Sequence, residues 1–314
     1  MADSPIAIID LGTNTFHLFI AEFDSDGNWA TLHKEKHFVK LAEESRSRIG
    51  AKPMQRAVHR MNSFSRIAKS YNCKSTLAYA TAGLRQSDNR HDFIDAVREN
   101  TGIKIEIIDG DREAELICLG VRQAVEFGDE TVLIMDIGGG SIEFIICDKT
   151  SLKWRKSYPI GAANLKLQFH QRDPIPTKEL EALNKFLDST LSEVFNQCQN
   201  NNVKTLIGAS GSFDTLIECQ AANFPDKQFP PHEIDIQGFL TFHNAIIKLS
   251  LDERQQIKGM HPQRAEMMVV ASAVIQFVLK TCSIQKLLHS NMAMKEGIAW
   301  QLAHKSTTIR KFKF

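Results

Sequence analysis

The sequence predicts an α/β protein of two similar domains, each a mixed β-sheet flanked by helices, with a cleft between them. Three observations carry that prediction. A motif occurs twice: residues 10–20 read D-L-G-T-N-T-F-H-L-F-I, and residues 136–146 read D-I-G-G-G-S-I-E-F-I-I. Each copy follows an apolar run (Ile6–Ile9, then Val132–Met135) and continues into another, as a strand, a tight polar turn and a second strand would. The length of 314 residues is enough for about two domains, each with its own core. Around both copies, short apolar strands alternate with segments of helical periodicity. A repeat constrains the whole fold, so it takes precedence over local detail.

In order along the chain, Ile6–Asp10, Thr15–Phe23 and Trp29–Lys36 form a meander, with D-S-D-G-N at 24–28 supplying turn chemistry. Met54, Ala57, Val58, Met61, Phe64, Ile67, Ala68 and Tyr71 recur at helical spacing, so 53–71 is a helix. Thr76–Ala80 is a strand, His91–Asn100 a helix closed by Gly102, Ile103–Ile108 a strand, and a further helix runs from about Asp111 to Glu126. The second half opens in the same way with Thr131–Asp136, Ser141–Asp148 and Leu152–Pro159. Its helical insertions are larger: Thr177–Asn200 is one long helix, and Gln237–Ser250 and Arg264–Thr281 are amphipathic helices. Val203–Ala209 and Gln285–Ser290 are strands, and Ala293–Ala303 is the last helix. Asn223–His232 is loop-like. The expected domains are 1–127 and 128–300, followed by a helix end and basic tail at 301–314.

Lys plus Arg is 38 and Asp plus Glu is 37, so no global field favours nucleic acid or a membrane surface. A polyanionic substrate must then be held by local groups. The six cysteines form no C-x-x-C pair and most sit in apolar stretches, as small buried thiols in a reducing compartment do. No signal peptide or membrane-spanning run is visible, so the expected location is cytoplasmic.

The repeated turn is where chemistry is expected. Gly138, Gly139, Gly140 and Ser141 can present backbone N–H groups to an anion without interference from side chains. Taken alone, G-G-G-S reads as a hairpin turn. The Asp136 that precedes it, matched by Asp10, shifts the reading to metal or metal-water coordination. Two such turns facing each other suit a phosphate chain with a divalent metal. Gly211, in A-S-G-S-F-D-T-L after a third strand, opens a helix whose N-terminus is either a phosphate site or a plain tight connection. Glu113 starts the helix of D-G-D-R-E-A-E-L, where the macrodipole favours a carboxylate. Arg112 and Glu115 are spaced to pair with each other, which leaves Glu113 for the cleft. Glu143 shares a strand face with Ser141 and is either an outward polar residue or a metal carboxylate. His17, at the matching place in the first copy, reads as a packing residue.

Together these pieces resemble the exopolyphosphatase/guanosine pentaphosphate phosphatase (Ppx/GppA) family of the actin-like, ribonuclease H-like (ASKHA) superfamily. The matching segments are D-L-G-T-N-T-F-H, A-T-A-G-L-R at 80–85, the Glu-Ala pair at 113–114, D-I-G-G-G-S-I-E, G-A-S-G-S and S-N-M-A-M-K-E-G at 290–297. The resemblance implies two actin-like domains and hydrolysis of a terminal phosphoanhydride of polyphosphate or pppGpp, with Mg²⁺ or Mn²⁺. It implies Glu113 as the general base and Asp136 and Glu143, with Asp10, as the metal carboxylates. Asn14, Thr15, Arg85, Gly138–Ser141 and Gly211 would be phosphate contacts. Family habit adds a homodimer. The family often has G-x-E-E-A-R-L where this chain has Arg112 and Glu115, and S-D-x-x-x-R-E-G where it has Asn291 and Lys295, departures that bear on substrate preference. The chain reads as a short, two-domain form. A non-catalytic polyphosphate or alarmone sensor and an ATP-dependent kinase are the competing readings. The retained Glu113 argues against the first, and the lack of a sugar-recognition domain against the second.

Overall fold

The computed structural model describes residues 4–45, 47–223 and 230–304. The basic residues Arg310, Lys311 and Lys313 lie outside the described residues, as does the middle of the loop expected at Asn223–His232.

The first sheet contains β1 (Ile6–Leu11), β2 (Thr15–Phe23), β3 (Trp29–Phe38), β4 (Ser75–Ala80) and β5 (Ile105–Ile107), in the order β3-β2-β1-β4-β5. β1, β2 and β3 pair antiparallel as the expected meander, and β4 and β5 join in parallel. Its helices are α1 (Ala51–Ser70), α2 (Ala82–Arg85), α3 (Arg90–Thr101) and α4 (Gly110–Ala124). The second sheet contains β6 (Val132–Ile137), β7 (Ile142–Cys147), β8 (Leu152–Tyr158), β9 (Thr205–Ala209) and β10 (Lys286–Ser290), in the order β10-β9-β6-β7-β8. It repeats the first strand for strand, an antiparallel meander extended by two parallel strands. The repeated motif therefore does mark a doubled α/β architecture. Even the register repeats: Asp10 stands opposite His17, and Asp136 opposite Glu143.

The parallel strands need crossover connections, and the second half supplies longer ones. They are α5 (Ala162–Phe169), α6 (Thr177–Thr190), α7 (Ser192–Asn200), α8 (Gly211–Asn223), α9 (Ile236–Ile246), α10 (Leu251–Gln255) and α11 (Pro262–Thr281), and α12 (Met294–Ala303) closes the described chain. Two described helices of this half escape the sequence reading, as does the single turn α2 of the first. α5 is one short stretch of eight residues, and α10 is five residues opened by a reciprocal cap between Ser250 and Glu253. The single helix expected at 177–200 is two, broken at Leu191 (φ −101°, ψ 11°), whose side chain is fully buried. α11 is buried from Ala265 to Leu279 on nearly every side, the pattern of a helix inside a core rather than the amphipathic surface helix expected.

α11 also shelters a titratable contact. His243 of α9 is buried, with Nδ1 2.9 Å from the Ser272 hydroxyl, which itself donates to the Val269 carbonyl at 2.9 Å. Nδ1 must therefore carry the proton. Burial pulls the imidazole down to about 4 from 6.5. A folded-state value below the unfolded one stabilises the protein above pH 6.5, and that contribution is lost as pH falls towards 4. The loss should approach roughly 3 kcal/mol in urea titrations run across that window, and His243→Gln should flatten it.

Grouping by contact divides the chain differently from a division by sequence order. One unit holds the residues up to Gly120, the turn Gly138–Gly140 and the segment starting at Ala293; the other holds Val121–Ile137 and Ser141–Met292. α12 joins the first unit through a backbone-to-backbone crossing with α4. A β-carbon at Gly297 would lie 1.8 Å from the Leu116 carbonyl oxygen, and one at Gly120 would lie 1.8 Å from that of Ala293. Buried Glu296 accepts from the Ala293 N–H at 2.9 Å and from Lys34 of β3 at 3.2 Å. Each unit has its own core, around Leu18, Phe64 and Phe93 in the first and around Phe144, Leu187 and Val274 in the second. No described helix is long and apolar enough to cross a membrane.

Candidate active site

In the first unit, the start of α4 places Glu113. The Asp109 carboxylate accepts from the Arg112 N–H at 2.7 Å and caps the helix, so Glu113 falls in its first turn, where backbone N–H groups favour negative charge. The side chain is buried, and its Oε2 lies 3.0 Å from Arg85 Nη1, which also donates to the Ile108 carbonyl at 2.8 Å. Arg85 comes from the single turn α2 at the end of β4, the A-T-A-G-L-R segment. The resemblance implies it as a phosphate contact, and its guanidinium also pairs with the candidate base. Arg112 pairs with Glu115 at 2.9 Å, as the spacing predicts, and also reaches Gln301.

The β1–β2 turn holds Asn14 and Thr15. The Gly12 N–H bonds to the Thr15 carbonyl at 3.1 Å, and the Asn14 carbonyl accepts from Val39 and Lys40 at 2.8 and 3.0 Å. The turn Gly138–Gly140 packs against these residues. A β-carbon at Gly139 would lie 2.8 Å from the Asn14 amide, and one at Gly140 would lie 2.5 Å from the Thr13 hydroxyl. Only glycine permits such an approach. Gln86 Nε2 is 3.4 Å from the Gly140 carbonyl. The first unit thus brings together Glu113 with Arg85, and Asn14 with the glycine turn. Asp10 is half-buried at the end of β1.

In the second unit, Asp136 and Glu143 are buried, directly opposite neighbours on β6 and β7, with Ser141 buried at the turn. Carboxylates so placed have β-carbons about 4.5–5.5 Å apart, and like charges there are destabilising unless compensated. The Ser210 hydroxyl donates to Asp136 at 2.6 Å and the Ser157 hydroxyl donates to Glu143 at 2.7 Å. Among the described residues, no three His, Cys, Asp or Glu side chains gather into a metal-binding group. Two carboxylates offering oxygen alone nonetheless fit Mg²⁺, which commonly takes one or two carboxylates plus substrate phosphates and water.

Gly211 opens α8, and the Arg264 guanidinium of α11 occupies the place a side chain at 211 would take, 1.4 Å from an added β-carbon. Burial holds Arg264 below the usual arginine range, opposed by the charges of Asp214 and Glu218. Asp214 also bonds His289 at 3.0 Å.

Over residues 20–306 the sequence matches the Ppx/GppA phosphatase family. The chain belongs to this family. The crystal structure of an exopolyphosphatase from Cytophaga hutchinsonii superposes with a TM-score of 0.91 at 33% identity, covering 96% of this chain and 98% of that one. Exopolyphosphatase 1 of Mycobacterium leprae is 24% identical over 298 residues, 93% of this chain and 88% of its own. A guanosine-5'-triphosphate,3'-diphosphate pyrophosphatase of Photobacterium profundum is 25% identical over 305 residues, of which 96% of this chain takes part but only 60% of the relative. These Ppx/GppA relatives support a phosphoanhydride hydrolase.

Sequence reasoning passed over Thr13, Gln86, Ser157, Ser210 and Arg264. Thr13 and Ser210 lie inside the quoted motifs D-L-G-T-N-T-F-H and G-A-S-G-S, and Gln86 directly follows A-T-A-G-L-R, so a small or polar residue at a strand-end turn was the available signal. Ser157 and Arg264 carry none, because their partners lie on other strands and helices.

Proposed function

We propose that the chain releases terminal orthophosphate from inorganic polyphosphate, from pppGpp, or from both, with water as the acceptor. The observation that carries this reading is the buried Glu113 carboxylate held by Arg85 at a helix N-terminus, in the unit that also contains Asn14 and the glycine turn. A non-catalytic sensor needs no such base.

Phosphoryl transfer needs positioning and charge neutralisation more than covalent chemistry. In this reading Asn14, Thr15, Gly138, Gly139, Gly140 and Ser141 bind the terminal phosphate through N–H and hydroxyl donors. Glu113 orients a water in line with the scissile bond and takes its proton on a carboxylate oxygen, while Arg85 keeps that carboxylate in place. Gly211, at the start of α8, adds donors further along the substrate. Asp136, Glu143 and Asp10 are the residues that would hold Mg²⁺ or Mn²⁺. When bound, the ion would supply charge neutralisation on the phosphate oxygens.

Phosphate release from long polyphosphate, short polyphosphate and pppGpp, each with Mg²⁺ and with EDTA, tests the proposal. Release from at least one substrate is expected with Mg²⁺, falling to background with EDTA. No release from any of them would overturn it.

A further inference from the structure

One row of neighbours crosses the second sheet. Asp136 stands in register with Ala209 on one side and Glu143 on the other, and Glu143 stands in register with Ser157. A hydroxyl closes each end of the carboxylate pair. Ser157 donates to Glu143 Oε1 at 2.7 Å; Ser210, the residue after Ala209, donates to Asp136 Oδ2 at 2.6 Å. Ser210 does so from a left-handed backbone, φ 67°. That region is unfavourable for a residue with a β-carbon and costless for glycine. Strain of this kind persists only where the surrounding structure over-determines it.

We propose that Ser210 and Ser157 are positioning residues for the divalent-cation site, each fixing the rotation of one carboxylate so that Asp136 and Glu143 present oxygens to the same ion. This rests on the reading of those carboxylates given under the proposed function. Hydroxyls that orient ligating carboxylates commonly contribute 10–100-fold to metal affinity. A turn built only for folding would be better served at 210 by glycine.

Ser210→Gly therefore separates the two roles, since it removes the hydroxyl and relieves the backbone at once. Mn²⁺ binding is followed by electron paramagnetic resonance, with and without inorganic phosphate, in wild type, Ser210→Gly, Ser157→Ala and Ser157→Thr, alongside thermal melts. The dissociation constant for Mn²⁺ should rise about tenfold or more in Ser210→Gly and Ser157→Ala, with the melting temperature of Ser210→Gly not lowered and binding restored in Ser157→Thr. Mn²⁺ affinity within twofold of wild type in both hydroxyl-free variants would overturn the proposal, as would a Ser210→Gly protein that melts well below wild type. A wild type that binds no Mn²⁺ would remove the metal reading itself, and the positioning role with it.

Discussion

Glu113→Gln should lower kcat for phosphate release by roughly 10²–10⁴-fold, the usual contribution of a positioned base, while KM stays within a few fold. The prediction is sharp because glutamine keeps the shape and one acceptor oxygen. The 3.0 Å contact with Arg85 can persist as a charge-assisted hydrogen bond, and α4 keeps its Asp109 cap. What is lost is the ability to accept a proton from water. Steady-state kinetics with matched thermal melts check it. A large rise in KM with kcat intact would make Glu113 a binding residue, and a drop in melting temperature would assign it to folding.

The second large effect is expected at Asp136→Asn. If Asp136 holds a cation, its charge supplies part of several kcal/mol of transition-state stabilisation, so kcat/KM should fall about 10²-fold or more at limiting Mg²⁺. Raising Mg²⁺ should recover part of the loss. Stability should move differently. Asparagine can still accept from Ser210 at the 2.6 Å position, and neutralising one of two opposed buried carboxylates relieves like-charge repulsion. The melting temperature without Mg²⁺ should therefore be maintained or raised. Magnesium titrations of activity and metal-free melts give both readouts, and a variant equally active at every Mg²⁺ concentration would contradict the assignment.

Both effects fall on residues legible in the sequence, and the reason is physical. Asp136 and Glu143 come seven residues apart on one hairpin, whose turn dictates which residues face each other. The doubled sheet was legible for the same reason, because each strand–turn–strand copy declares its own register. Glu113 was legible because helix starts have local rules of capping and charge. The partners were not. Arg85 reaches Glu113 from the end of β4, Ser210 reaches Asp136 from the end of β9, and Arg264 lies over Gly211 from α11. Each of those contacts depends on parallel strand pairing and crossover helices, which local pattern does not encode. α12 was read as the last helix of the second half, yet its packing against α4 depends on two glycines, Gly120 and Gly297, whose crossing no periodicity reveals. The break at Leu191 escaped because the helical pattern runs through it.

The central claim is that water, and no other acceptor, takes the terminal phosphoryl group. Running the reaction in ¹⁸O-labelled water and analysing the products by mass spectrometry tests it most directly. The account predicts one ¹⁸O in each released orthophosphate and none in the shortened substrate. Label in the remaining chain, or phosphoryl groups appearing on a nucleotide or sugar acceptor in place of labelled orthophosphate, would contradict it.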